Sequence, residues 1–84
     1  MERYLVQRAE DAFKELAGDG DWKTRLGNAK SLLTSAEQWL ASAPQEVKDA
    51  VAEVESASNH PELSTALRRA ITAILEEFAR QEPT

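Results

Sequence analysis

A long stripe of apolar side chains runs through the middle of the chain at helical spacing. Successive members are separated alternately by four and three residues, which keeps them on one side of an α-helix because each residue turns the helix by about 100°. A β-strand alternates its faces every two residues and cannot use this spacing. The members are Trp22, Leu26, Ala29, Leu33, Ala36, Leu40 and Ala43. The stripe therefore predicts an all-α protein.

Three further stripes predict three more helices, each bounded by residues that begin or end helices. The four predicted helices span residues 2–17, 22–42, 44–58 and 61–81. Gly18 and Gly20 end the first helix, Asp21 or Thr24 caps the second, and Asn59 caps the fourth, just before Pro61. Glycine permits left-handed backbone, and Asp, Thr or Asn side chains accept hydrogen bonds from unpaired amides. Short connections favour antiparallel neighbours. We predict a small antiparallel four-helix bundle in a single domain, residues 1–84.

The inward faces of these helices are expected to form one core. The first helix contributes Leu5, Val6, Ala9, Ala12, Phe13 and Leu16, the third contributes Val47, Ala50, Val51 and Val54, and the fourth contributes Leu63, Leu67, Ala70, Ile71, Ile74 and Phe78. The third face is narrow and is made of small side chains. The third helix is therefore expected to pack least tightly.

Pro44 leaves one boundary open to two interpretations. Ser42 and Gln45 fit a capping box, and a proline in the first turn of a new helix is well tolerated. This favours a break between the second and third helices. If Pro44 only kinks one long helix, the fold is instead a three-helix bundle with a bent central helix.

Size and composition indicate a single hydrophobic core and bear on the cellular compartment of the protein. Eighty-four residues with twenty large apolar side chains suffice for a single helical core. The chain has no cysteine, whereas small secreted domains usually rely on disulfides. We therefore expect a cytoplasmic protein, or one whose core is sufficient without disulfides. Its start has no apolar run typical of a signal peptide, and its longest apolar stretches are three residues, far short of the ~20 that span a bilayer.

The net charge of −5 is unevenly distributed. Residues 1–30 hold six acidic and six basic side chains, whereas residues 31–84 hold nine acidic and four basic ones. This balance argues against direct binding of nucleic acid, which needs a basic surface. It is compatible with a protein partner that has a basic surface.

Three carboxylates form an acidic flank on the third predicted helix. Glu46, Asp49 and Glu53 recur at steps of three and four residues, so they share one side of the helix. One interpretation is a docking surface for a basic partner, and the other is an ordinary solvated face.

Leu32 and Trp39 are the second candidate for partner binding. They are seven residues apart in the second predicted helix, on a flank of its apolar stripe. If the bundle leaves this flank open, the pair forms an aromatic–aliphatic anchor of the kind that dominates protein interfaces. The alternative is that both side chains belong to the core.

Nothing in the chain indicates catalysis, a metal site or a cofactor. His60 is the only histidine, so the Glu-x-x-His pairs of bundle metal sites are absent. No glycine-rich phosphate loop or nucleophile motif is present. We therefore predict a protein that is not an enzyme and has no cofactor.

The sequence favours a small protein that binds another protein, with the acidic flank as one candidate contact surface for a basic partner. A second interpretation is a small acidic inhibitor of a nucleic-acid-handling protein, by analogy of size and charge with phage anti-defence and anti-CRISPR proteins. A third is a structural homodimer whose helices complete a larger bundle. Salt dependence separates these, because a charged interface weakens with salt and a hydrophobic one does not.

Overall fold

The computed structural model describes residues 3–81 and consists of helices alone within that range. About 87% of these residues are helical, in five helices of which four are long. The elements are α1 (Arg3–Ala17), α2 (Trp22–Ser35), a 3₁₀ helix (Glu37–Ser42), α3 (Gln45–Ser56) and α4 (His60–Gln81). The predicted all-α bundle is confirmed.

α4 contacts each of the three other α-helices. It packs against α1 and α3 and, less extensively, against α2, while α1 packs most closely against α2. The core contains only apolar side chains, and no polar or charged side chain within residues 3–81 is buried. The largest fully buried side chains are Leu5, Leu33, Val47, Val51, Val54, Leu67 and Ile74.

The predicted second helix is shorter than expected and continues as a 3₁₀ helix. Its α-helical part ends at Ser35 rather than residue 42. The Ser35 hydroxyl donates a hydrogen bond of 2.8 Å to the Leu32 carbonyl oxygen, which the Ala36 amide would use in an α-helix. The Ala36 amide instead bonds to the Leu33 oxygen at 3.1 Å. The serine hydroxyl thus competes with the backbone amide for a carbonyl oxygen, which explains why the α-helix tightens into a 3₁₀ helix here.

The helix ends before Pro44 and a new one begins after it, which rules out the bent three-helix alternative. Ala43 and Pro44 are both extended, with ψ of 153° and 155°. α3 begins at Gln45, and Pro44 occupies its N-cap position without a side-chain cap. The expected capping box of Ser42 and Gln45 is therefore wrong. The Gln45 side-chain amide donates instead from Nε2 to Oδ1 of Asp49, at 2.8 Å.

The other helix ends largely follow the predicted signals. The Asp21 carboxylate accepts from the Thr24 amide at 3.1 Å, and the Asn59 side-chain oxygen accepts from the Glu62 amide at 2.9 Å. These side chains satisfy amides that have no partner within the first turn. Gly20 provides the left-handed residue between α1 and α2, with φ of 114°.

Candidate protein-binding surfaces

The acidic flank of α3 lies on the surface, as its spacing predicts. Glu46, Asp49 and Glu53 are all exposed. The opposite side of α3 places Val47, Val51 and Val54 in the core. The flank is thus free to contact another molecule, and whether it does so stays a prediction.

One member of the acidic flank has a basic partner within the fold. Glu53 lies 3.7 Å from Arg69 of α4, measured between Oε2 and Nη1, and the two side chains are 54% and 68% exposed. A pair this exposed contributes little, typically below about 1 kcal/mol. Arg69 is the only cation within residues 3–81 that pairs with the flank. The flank therefore keeps most of its negative charge.

The predicted anchor of Leu32 and Trp39 is largely covered by the rest of the chain. Both side chains are half-buried and pack against the core. The Trp39 ring also stacks on Tyr4 of α1, with ring centroids 5.2 Å apart and an interplanar angle of 25°. Because Trp39 lies in the 3₁₀ helix, the seven-residue spacing no longer places it on the same helical face as Leu32.

Three aromatic side chains are exposed instead. Tyr4 is 61% exposed, Phe13 is 57% exposed and Trp22 is 49% exposed. The expectation that Phe13 and Trp22 belong to the core is therefore wrong. Trp22 is the first residue of its helix, where no preceding turn covers it, and this end position was an available signal. The pattern gave no such signal for Phe13, because Val6 and Ala12 lie farther from the centre of the same stripe and are buried.

A groove of about 400 Å³ separates α1 from α4 beside Phe13. Phe13 and Leu16 line its α1 side, and Arg68, Ile71 and Thr72 line its α4 side. Phe13 is exposed, as are Arg68 and Thr72 on the α4 side of the groove. Leu16, Ala17 and Ile71 complete the apolar part of its lining.

A second groove of about 280 Å³ continues this surface toward the start of α2. It shares Leu16 and Arg68 with the first groove and adds Trp22 and His60. The Trp22 and His60 rings meet edge to face, with centroids 5.0 Å apart and planes at 78°. We call the surface formed by Phe13, Leu16, Trp22, His60 and Arg68 the Arg68 face.

Arg25 lines the second groove but is engaged within the fold. Its Nη1 donates to the carbonyl oxygens of Leu16 and Gly18, both at 2.9 Å. These carbonyls lie at the end of α1, where the helix leaves its last oxygens without partners. Through Nη1, Arg25 therefore ties the end of α1 to α2.

Arg68 differs from Arg25 in having no partner within residues 3–81. It is exposed on α4 and lines both grooves of the Arg68 face. No carboxylate lines either groove. This face is consequently basic in a chain whose net charge is −5.

Other kinds of site find little support in the described part of the chain. Residues 3–81 hold no group of three or more His, Asp or Glu side chains placed to bind a metal ion. None of the helices in this range has both the length and the apolar character needed to cross a bilayer. No family model, curated protein or solved structure significantly matches the chain.

Proposed function

We propose that this protein acts by binding another protein and catalyses no reaction. The observation that carries the proposal is the exposure of aromatic side chains. The chain has five aromatic residues, and Tyr4, Phe13 and Trp22 are each about half exposed or more. Aromatic side chains gain most from removal of water and are enriched where proteins meet. A small bundle that leaves three of its five aromatic side chains on the surface is well suited to form an interface with another protein.

The acidic flank adds an electrostatic component to this proposal. Glu46, Asp49 and Glu53 are exposed and are opposed by a single exposed arginine. A partner with a basic surface, such as a nucleic-acid-handling protein, would be attracted to this flank and would associate faster at low salt. Inhibition of such a partner is the more specific form of the proposal.

Site-specific photocrosslinking tests the binding function. A benzophenone-bearing amino acid replaces Phe13 or Trp22, and the exposed Ser31 of α2 serves as the control position. After irradiation of cells of the source organism, positions 13 and 22 should give a discrete crosslinked protein and position 31 should not. Crosslinks only between two copies of this chain would replace the proposal with the homodimer. No crosslink at either aromatic position would reject protein binding through these residues.

A further inference from the structure

We propose that the Arg68 face binds a partner segment in which a carboxylate lies beside one or two large apolar side chains. This inference rests on the proposed protein-binding function and specifies the chemistry of one partner. It concerns a surface different from the acidic flank of α3, and one of opposite charge.

The apolar part of the segment is indicated by the groove between α1 and α4. Phe13 lines this groove and is 57% exposed, and Leu16 beside it is half-buried. A leucine or phenylalanine placed there would remove water chiefly from Phe13 and to a smaller extent from Leu16, and burial of apolar surface is the main favourable term in association. The lining residues belong to two packed helices, so the groove does not have to form on binding.

The carboxylate is indicated by Arg68. Arg25, Arg69 and Arg80 all have acceptors within the chain. Arg68, like Arg3 and Arg8 of α1, has none within residues 3–81, and of these three only Arg68 lines the two grooves. A guanidinium group matches a carboxylate with two parallel hydrogen bonds. Because Arg68 lines both grooves, a carboxylate bound to it would lie next to apolar side chains seated on either side.

Charge favours an acidic segment over two other occupants. The Arg68 face presents too small a basic area for a phosphate backbone, which needs an extended basic surface. A two-fold dimer through this face would set the same basic surface against itself. A short protein segment with one carboxylate and an apolar side chain needs only a small basic area, and it does not place two basic surfaces against each other.

Selection from a random peptide library tests the proposal. The library is displayed on phage and selected against the full chain, and peptides that also bind an Arg68→Gln variant are removed. Enriched peptides should carry Asp or Glu next to Leu, Phe or Trp. Failure to enrich any peptide, or enrichment of basic or uncharged ones, would overturn the proposal.

The best selected peptide is then mapped by NMR with controls that the chain itself supplies. Trp22 lies on the Arg68 face and Trp39 does not, so the Trp22 indole NH signal should shift during titration while that of Trp39 stays in place. Arg68→Gln should weaken binding by about tenfold, the typical effect of losing a hydrogen bond to a charged group. Arg69→Gln, at the neighbouring exposed arginine, should leave affinity unchanged. Equal losses in the two variants would contradict the proposal.

Two outcomes distinguish this inference from the proposed function. Crosslinking at Phe13 together with failure of acidic peptides would mean that a protein binds here by other chemistry, so only the inference would fall. A shift of the Trp22 signal when the protein alone is concentrated would identify a second copy as the occupant and would also overturn the inference.

Discussion

The rings of Trp22 and His60 pack edge to face with their centroids 5.0 Å apart. This contact joins the first residue of α2 to the first residue of α4. Two helix starts that are far apart in sequence thus form one end of the bundle. The contact leaves Trp22 49% exposed. It therefore positions the indole at the rim of the Arg68 face instead of burying it.

The difference between core and surface apolar residues gives the first prediction. Leu33 is fully buried, whereas Phe13 is 57% exposed. Leu33→Ala should lower the free energy of unfolding by about 2–5 kcal/mol, as buried leucine truncations do, whereas Phe13→Ala should lower it by less than about 1 kcal/mol because little burial is lost. Urea unfolding followed by circular dichroism measures both. Equal losses would mean that Phe13 belongs to the core after all.

The cap of α4 gives the second prediction. The Asn59 side-chain oxygen accepts from the Glu62 amide at 2.9 Å. Asn59→Ala should therefore destabilise the protein by about 0.5–2 kcal/mol. Asn28→Ala is a matched control, because Asn28 donates to the Glu15 carboxylate on the surface and caps no helix. A thermal unfolding scan should show a clear loss for position 59 and a much smaller one for position 28.

The lowered pKa of Glu62 leads to a prediction about how the stability of the fold depends on pH. Hydrogen bonds from the Ser58 amide, and then from the Ser58 hydroxyl, hold the pKa of Glu62 below its ordinary value of 4.5. Because this pKa is lower in the folded state than in the unfolded state, the carboxylate stabilises the fold above pH 4.5, and this contribution is lost as pH falls through the folded pKa.

A comparison with Glu62→Gln isolates this contribution. The variant should be less stable than the parent at pH 6, and the difference should shrink steadily on acidification. A carbon-detected NMR titration of the Glu62 side chain provides the direct measurement. A titration midpoint at or above 4.5 would contradict the proposed role of the Ser58 hydrogen bonds.

The acidic flank gives a prediction about association rates. Replacement of Glu46, Asp49 and Glu53 with glutamine should preserve the fold, since glutamine is a fair helix former. Association with a basic partner identified by crosslinking should become slower, and the difference from the parent should fade as salt screens the charges. Stopped-flow kinetics at several salt concentrations measure this. Unchanged association at low salt would identify the flank as an ordinary solvated surface.

A matched variant separates the position of charge from its amount. Glu10, Asp11 and Glu55 lie outside the flank, and their replacement with glutamine removes the same formal charge. This control should slow association much less than the flank variant, because electrostatic steering depends most on charges near the contact. Equal slowing by the two variants would indicate a response to net charge alone.

Residues that act along a single helix were predictable from the sequence. The spacing of Leu26, Ala29, Leu33 and Ala36 identifies a face that is buried in the structure, because the direction of a side chain about its own helix axis follows from the turn per residue. Asn59 accepts from a backbone amide three residues along the chain, so its effect is equally local. The exposure of the acidic flank follows from the same rule.

Residues whose surroundings come from other helices were not predictable in this way. Phe13 shares a groove with Arg68, Ile71 and Thr72 of α4 and is 57% exposed, although its spacing places it among the buried residues of α1. Glu53 meets Arg69, and Trp39 meets Tyr4, only because separate helices are packed side by side. Periodicity gives the direction in which a side chain points, whereas burial and pairing depend on which helix lies opposite and at what height along its axis.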